Sequence, residues 1–128
     1  RGRMELAARL PNGAAVYVDY AHTPNALERL LAALRPHVGP GARLHVLFGA
    51  GGDRDPGKRA LMGAAGARLA DRCWVTDDNP RGEDPASIRA AVLAGCPGGI
   101  DAGDRAAAIA RAAADLRPGD VLAVAGKG

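Results

Sequence analysis

Four short stretches hold the residue types that could do chemistry: "VDYAHTP" (18–24), "GAGGDRDPGKR" (49–59), "TDDNPRGED" (76–84) and "VAGKG" (124–128). Inside the second, Gly52, four residues and then Gly57-Lys58 give the outline of a phosphate-binding P-loop. In such a loop the lysine neutralises phosphate and the next residue's hydroxyl binds Mg2+. Arg59 stands at that hydroxyl position and cannot bind a cation, and Asp53 and Asp55 would set two carboxylates against the phosphates. The dinucleotide fingerprint fails too, because Gly49-x-Gly51 meets Arg54 at its third glycine position. Two readings stay open. One is a Gly-rich turn whose charges are solvated. The other is a tight loop that presents Arg54 inward, oriented by Asp53 or Asp55, as a guanidinium fork matched to a carboxylate or phosphate.

In "DDNPR", Asn79 precedes proline, which pushes its backbone toward an extended conformation, and Pro80 stiffens the turn. A rigid amide beside the Arg81 guanidinium suits an amino acid's carboxylate, with Asp77 or Asp78 available for its ammonium. An Asx-Pro turn with a surface arginine is the plainer alternative. In "VDYAHTP", Asp19 ends a strand-like run and His22 stands just before Thr23, a good helix cap. A strand-terminal carboxylate can bind ribose hydroxyls, and a helix N-terminus suits an anion. His22 could equally cap or pack locally. His37 and His45 look structural. The residues form no Ser-His-Asp set and no metal cluster, and neither Cys73 nor Cys96 has a nucleophile's context.

These stretches need a scaffold. "MELAARL" and "AAVYVDY" flank Asn12-Gly13, a strong hairpin signal. "TPNALERLLAALRPH" reads as a helix capped by Thr23, with Pro24 first and Leu27, Leu30, Leu31 and Leu34 on one stripe. "RLHVLFG" reads as a strand. A helix follows from about Lys58 to Ala70, with Leu61, Met62 and Leu69 toward the core. "CWVTD" is a strand, "PASIRAAVLAG" a helix capped by Asp84, "GGID" a weak strand, "DRAAAIARAAADL" a helix and "VLAVAG" a final strand. Near-continuous apolar strands alternating with helices predict an α/β, Rossmann-like, doubly wound and mostly parallel sheet, with an antiparallel hairpin at one edge. Ligands bind such sheets at the carboxyl ends of the strands, where all four chemical stretches fall.

The 128 residues suffice for one domain, 1–128, with a core of its own. Hydrophobic residues are 48% and charged residues 24%, the balance of a soluble globular protein. The net charge of +3 and the 3% aromatic content argue against nucleic acid, which wants a basic face and stacking platforms. No apolar run reaches the roughly 18 residues of a membrane span. The sequence does not open on a basic-then-apolar leader, so no export signal is expected, and the cysteines lack metal spacing, so the expected setting is the reducing cytoplasm. The ends "RGRMEL" and "VAGKG" read as a domain cut from a longer protein.

Taken in order, "GRME", "VDYAHTP", "FGAGGDRDPGKR", "TDDNPR" and "VAGKG" resemble the C-terminal domain of the Mur ligases, closest to those that add meso-diaminopimelate, and the resemblance runs from Gly2 to Gly128. It implies a bacterial, ATP-dependent, amide-forming ligase of peptidoglycan precursor synthesis. Such a ligase activates the carboxylate of UDP-MurNAc-L-Ala-D-Glu as an acyl phosphate, with ATP and Mg2+ held mainly by a central domain absent from this chain. The resemblance implies that Arg54, Asp78, Asn79, Pro80, Arg81 and Gly126 bind meso-diaminopimelate. It puts Asp19 near the ATP ribose and His22, Thr23 and Arg3 on the nucleotide side, with no metal ligand here. In the family the last motif continues to a His-Glu pair, beyond Gly128, so the chain alone is expected to lack ligase activity. The alternatives are a free-standing nucleotide or amino-acid binding module, or a Mur ligase relative with another acceptor.

Overall fold

A computed structural model describes residues 4–52 and 55–126. The elements are β1 (Glu5–Arg9), β2 (Ala15–Asp19), α1 (Pro24–Leu34), a 3-10 turn (Arg35–His37), β3 (Leu44–Phe48), α2 (Gly57–Leu69), β4 (Arg72–Thr76), α3 (Pro85–Leu93), β5 (Ile100–Gly103), α4 (Arg105–Ala114) and β6 (Val121–Ala125). The strands form one sheet in the order β1-β2-β6-β3-β4-β5. β1 and β2 pair antiparallel across the Asn12-Gly13 hairpin, and every other neighbouring pair is parallel. The expected α/β sheet with its hairpin edge is what forms.

Crossover handedness decides where the helices lie. The steps from β2 to β3, β3 to β4 and β4 to β5 all run in one direction along the sheet. Right-handed connections therefore put α1, α2 and α3 on the same face. The step from β5 back to β6 runs the other way, so α4 covers the opposite face. The two cores follow from strand alternation. Leu44, Val46 and Phe48 of β3 point to the first face, with Leu27, Leu30, Leu31 and Leu34 of α1, Met62 of α2 and Val92 of α3. Leu47 points to the second, with Trp74, Leu122, and Ala108 and Ala112 of α4. Leu27, Leu31 and Leu34 are wholly buried, each contributing about 2 kcal/mol.

α1 begins as expected: Pro24 is its first residue, and the Thr23 hydroxyl oxygen accepts from the Ala26 N–H. α2 departs from expectation at Leu61, which is 57% exposed, while Met62 is buried and Leu69 packs against the core as expected. The helix also buries Arg59, Gly63, Ala65 and Gly66. Small residues let it approach its neighbours: a Cβ on Gly63 would lie 2.1 Å from the Val92 carbonyl of α3. Asp84 stands at the N-cap of α3 but accepts from the Ser87 hydroxyl rather than from a backbone N–H. Cys73 and Cys96 are free and buried, and burial, reinforced by neighbouring Cys96, pushes the Cys73 thiol upward. Among the described residues no helix is long and apolar enough to cross a membrane.

Opposite the carboxyl edge, a closed polar network holds the sheet. Asp120, just before β6, is buried and accepts from the Arg43 and Arg117 backbone N–H groups and from His45 Nε2–H at 2.9 Å. Trp74 Nε1–H donates to His45 Nδ1 at 3.3 Å, which fixes a neutral imidazole tautomer. Burial lowers the His45 pKa although Asp120 pulls it upward. For Asp120 burial acts upward, but the three donated hydrogen bonds outweigh it and the pKa falls.

Both folded-state values lie below the unfolded ones, so both groups contribute stability that is lost as pH falls. For His45 the loss begins below about pH 6.5, at up to ~1.4 kcal/mol per pH unit. Thermal melts of the chain between pH 8 and pH 5 are expected to show a falling midpoint, and His45→Gln is expected to flatten that slope. An equal slope in the variant would remove His45 as the cause.

Candidate functional site

The loops leaving β2, β3, β4 and β6 meet at the carboxyl edge around a hollow of about 640 Å³. Its wall includes Tyr20, His22 and Thr23 from the β2 loop, Gly49 to Gly51 and Asp55 from the β3 loop, Asp78, Asn79 and Arg81 from the β4 loop, and Gly126. The first turn of α2 adds Lys58, Arg59 and Met62. Lys58 and Arg81 share this wall with Asp55 and Asp78, a mixture suited to a zwitterion or to an anion with an attached ammonium.

Two glycines bring the β3 and β4 loops into contact. A Cβ on Gly52 would lie 1.7 Å from the Pro80 carbonyl oxygen, and one on Gly49 would lie 2.3 Å from that of Thr76. With only hydrogen there, the Gly52 N–H donates to the Asn79 carbonyl at 3.0 Å. The turn facing it is left-handed at two non-glycine residues, Asn79 at φ +47° and Arg81 at φ +55°. This corrects the extended conformation expected for a residue before proline. Asparagine tolerates the left-handed region better than most residues, and the loop contact holds it there. Arg81, which has no such preference, is held by a turn that closes with Glu83 N–H on the Pro80 carbonyl at 3.0 Å. Strain of this kind is typical of ligand-gripping turns.

Asp77 is not available for a ligand ammonium. Arg89 of α3 donates from Nη1 to Asp77 and from Nε to Asp101, tying the start of the loop to β5. Asp78 takes the position facing the hollow, and a Cβ on Gly126 would lie 3.3 Å from its Oδ2. Gly126 sits at φ +100°, and its N–H donates to the Asp19 carbonyl, so the β2 and β6 loops are tied as well. Pro80 does not line the hollow; its carbonyl faces Gly52 behind the wall.

Asp55 spends one carboxylate oxygen on the Gly57 N–H at the start of α2. Arg59, the residue in the place of a P-loop hydroxyl, is 5% exposed. Its Nη2 donates to Glu83 Oε1 at 2.6 Å and to the Gly51 carbonyl at 3.3 Å, and its Nη1 donates to Glu83 Oε2 at 3.1 Å. Asp53, Arg54 and Arg3 lie outside the described residues.

The nucleotide-side set is only partly joined to this hollow. Asp19 is 6% exposed, and its Oδ1 accepts from the Ala21 N–H at 2.8 Å. It lines a second hollow, of about 490 Å³, with Met4, Ala26, Arg29 and Leu30 of the α1 face. Tyr20 and His22 border both spaces. His22 Nδ1 lies 2.9 Å from the Tyr20 carbonyl, so it must be the protonated nitrogen, and Nε2 is left to face a ligand. Thr23 gives one lone pair to the α1 cap and keeps its O–H proton to donate.

Arg105 is the residue sequence reasoning missed. It opens α4 at the carboxyl end of β5, donates from Nη2 to the Ala125 carbonyl at 3.0 Å and feels the charge of Asp78. Burial lowers its pKa, and Asp78 opposes that. The carboxyl-edge rule would have found it had the weak strand before it been given a loop of its own.

Comparison with known proteins accords with this geometry. The Mur ligase, glutamate ligase domain matches residues 2–128. The UDP-N-acetylmuramoyl-L-alanyl-D-glutamate--2,6-diaminopimelate ligase of Caulobacter vibrioides is 61% identical over 127 residues, which are 99% of this chain and 26% of that protein. A solved structure of a UDP-N-acetylmuramoyl-L-alanyl-D-glutamate--2,6-diaminopimelate ligase superposes with a TM-score of 0.88 at 40% identity, covering 100% of this chain and 26% of that one. A bifunctional folylpolyglutamate synthase/dihydrofolate synthase from Yersinia pestis superposes at a TM-score of 0.76 and 21% identity over 98% of this chain and 28% of its own, which shows the fold alone. This chain thus spans about a quarter of the length of the ligases it matches. It belongs to the Mur ligase family and comprises that family's glutamate ligase domain.

Proposed function

We propose that this chain is the acceptor-presenting C-terminal domain of a cytoplasmic, ATP-dependent ligase that joins meso-diaminopimelate to UDP-MurNAc-L-Ala-D-Glu in peptidoglycan precursor synthesis. The observation that carries this reading is the left-handed Asn79–Pro80–Arg81 turn, which sets Arg81 on the wall of a mixed-charge hollow. Relatives more than half identical over 99% of the chain are named as diaminopimelate ligases, which supports it.

Diaminopimelate carries two amino-acid centres, whereas lysine has only an ammonium at the distal end. A guanidinium at Arg81 attracts the distal carboxylate and repels a lone ammonium, so one side chain both selects and rejects. Asp78 suits the distal ammonium, and the Asn79 amide adds direction. Arg54, between β3 and α2 in the sequence, would supply a second fork. With the distal centre held, the other amine is free to attack the acyl phosphate. The new N–C bond forms, the bond to phosphate oxygen breaks and inorganic phosphate leaves. The domain's contribution is orientation, which converts a two-body encounter into a local one.

Asp19, His22, Thr23 and Arg3 are proposed to face ATP, with Asp19 and His22 lining the second hollow. Among the described residues no group of three or more His, Cys, Asp or Glu side chains is placed to hold a metal ion, and no step is assigned to one here.

In the complete ligase, Arg81→Ala is expected to lower kcat/KM for diaminopimelate by at least about a hundredfold, the loss of a charge-assisted pair. The KM for the UDP substrate should hold. Steady-state kinetics with each substrate varied would decide it, and unchanged acceptor kinetics would end the assignment. Gly52→Ala forces the β3 and β4 loops apart, so acceptor KM should rise by about tenfold or more with no comparable change for ATP. If that variant binds acceptor normally, the loop contact is not part of recognition.

A further inference from the structure

Arg59 is the most deeply buried arginine among the described residues, and the acceptor reading gives it no part. We propose that the Arg59–Glu83 pair is a positioning clamp that sets the spacing of the two recognition loops, and with it the affinity and selectivity for the distal amino-acid centre of the acceptor. The inference rests on reading the hollow as the acceptor site.

The geometry joins three parts of the chain at one planar group. Arg59 is rooted in the first turn of α2, a rigid element of 13 residues. One Nη reaches back to the Gly51 carbonyl, in the loop that carries Arg54. Both Nη atoms grip the Glu83 carboxylate, at 2.6 and 3.1 Å. Glu83 stands two residues beyond Arg81 in the sequence. The clamp therefore closes the far end of the turn whose near end is held by Gly52 N–H on the Asn79 carbonyl. Between these two ties lie Asn79 and Arg81, the two non-glycine residues at positive φ among the described residues. A strained turn persists only where its surroundings over-determine it, and here it is fixed on both sides.

The chemistry of the clamp calls for arginine. The guanidinium is a flat fork that can grip a carboxylate with two N–H groups while one of them also reaches a carbonyl. Lysine keeps the charge but is a point donor and cannot hold carboxylate and carbonyl in one plane. The Glu83 side chain is 33% exposed while that of Arg59 is 6% exposed. The pair thus runs from the interior to the rim of the site.

The test uses the complete ligase, with meso-diaminopimelate and L-lysine as acceptors. Arg59→Lys and Glu83→Gln are each expected to raise the KM for diaminopimelate by about tenfold with kcat held within about twofold, the signature of lost ground-state binding. The KM for ATP should stay unchanged and the preference for diaminopimelate over lysine should narrow. Because both variants break one clamp, the double variant should be no worse than the poorer single. A merely structural ion pair would lower the melting midpoint without moving the acceptor ratio. Unchanged acceptor KM in folded variants overturns the clamp, as does an equal rise in the KM for ATP or a double-variant loss equal to the product of the singles. Should Arg59→Lys fail to fold, Glu83→Gln decides alone, since its amide keeps the shape of the carboxylate at a half-exposed position. Arg81→Ala is run beside them. Normal acceptor kinetics there overturn the acceptor site itself, whereas loss there with unchanged Arg59→Lys and Glu83→Gln overturns only the clamp.

Discussion

The site depends on one close approach, the backbone of Gly52 against the backbone of Pro80. β3 and β4 are hydrogen-bonded neighbours in the sheet. Loops leaving neighbouring parallel strands start only about 4.8 Å apart, so they can share a wall if side chains do not hold them off. Hydrogen at Gly49 and Gly52 removes that obstacle, since a Cβ at either place would fall well inside contact distance of a carbonyl in the β4 loop. Once the loops touch, the Asn79 carbonyl must face Gly52 N–H, and the turn that does this passes through the left-handed region at Asn79 and Arg81. The placement of Arg81 is therefore a consequence of two absent side chains on another loop.

The two ends of the sheet treat charge in opposite ways. At the amino end, Asp120 and His45 are closed on each other, on Trp74 and on backbone N–H groups, with 2% and 0% of their surfaces exposed. A network so completed rigidifies the sheet and offers nothing to a ligand. At the carboxyl edge, some charges are engaged within the fold. Arg89 holds Asp77, Arg59 holds Glu83, and Arg105 holds the Ala125 carbonyl. These engaged groups brace the loops that carry Asp78, Asn79 and Arg81, which line the hollow. Side chains meant to meet a charged ligand keep their geometry only when residues behind them are locked.

Much of this was legible in the sequence. The hairpin at Asn12-Gly13, the Thr23-Pro24 helix start and the leucine stripe of α1 are local signals, and each formed as read. The carboxyl-edge rule gathered four loops that do converge. What escaped was decided by contacts between segments. The bond from Gly52 N–H and the close fit against Pro80 overrode the pre-proline preference of Asn79. Leu61 points to solvent because α2 packs through Met62, Ala65, Gly66 and Leu69, which share one face, and approaches α3 closely at Gly63, a contact that Leu61 does not share. Arg59 was judged against the motif it fails, while its partner Glu83 lies in another loop, 24 residues away. Asp77 and Asp78 are adjacent in the chain but play different parts: the first pairs with Arg89, and the second lines the hollow.

The fold by itself cannot choose an acceptor. A parallel sheet with ligand loops at its carboxyl edge is a general platform, and chemistry is added by the loops. On the proposed reading, discrimination needs a guanidinium that is both near the distal carboxylate and unable to drift away when a lone ammonium is offered. A flexible arginine would satisfy the first condition and fail the second, because it could swing out and admit lysine at little cost. Fixing the backbone at an unfavourable φ, with Gly52 on one side and Glu83 on the other, narrows the directions in which that arginine's side chain can leave the turn. Selectivity then comes from rigidity as much as from charge. That is why the residues that never touch the ligand matter as much as the one that does.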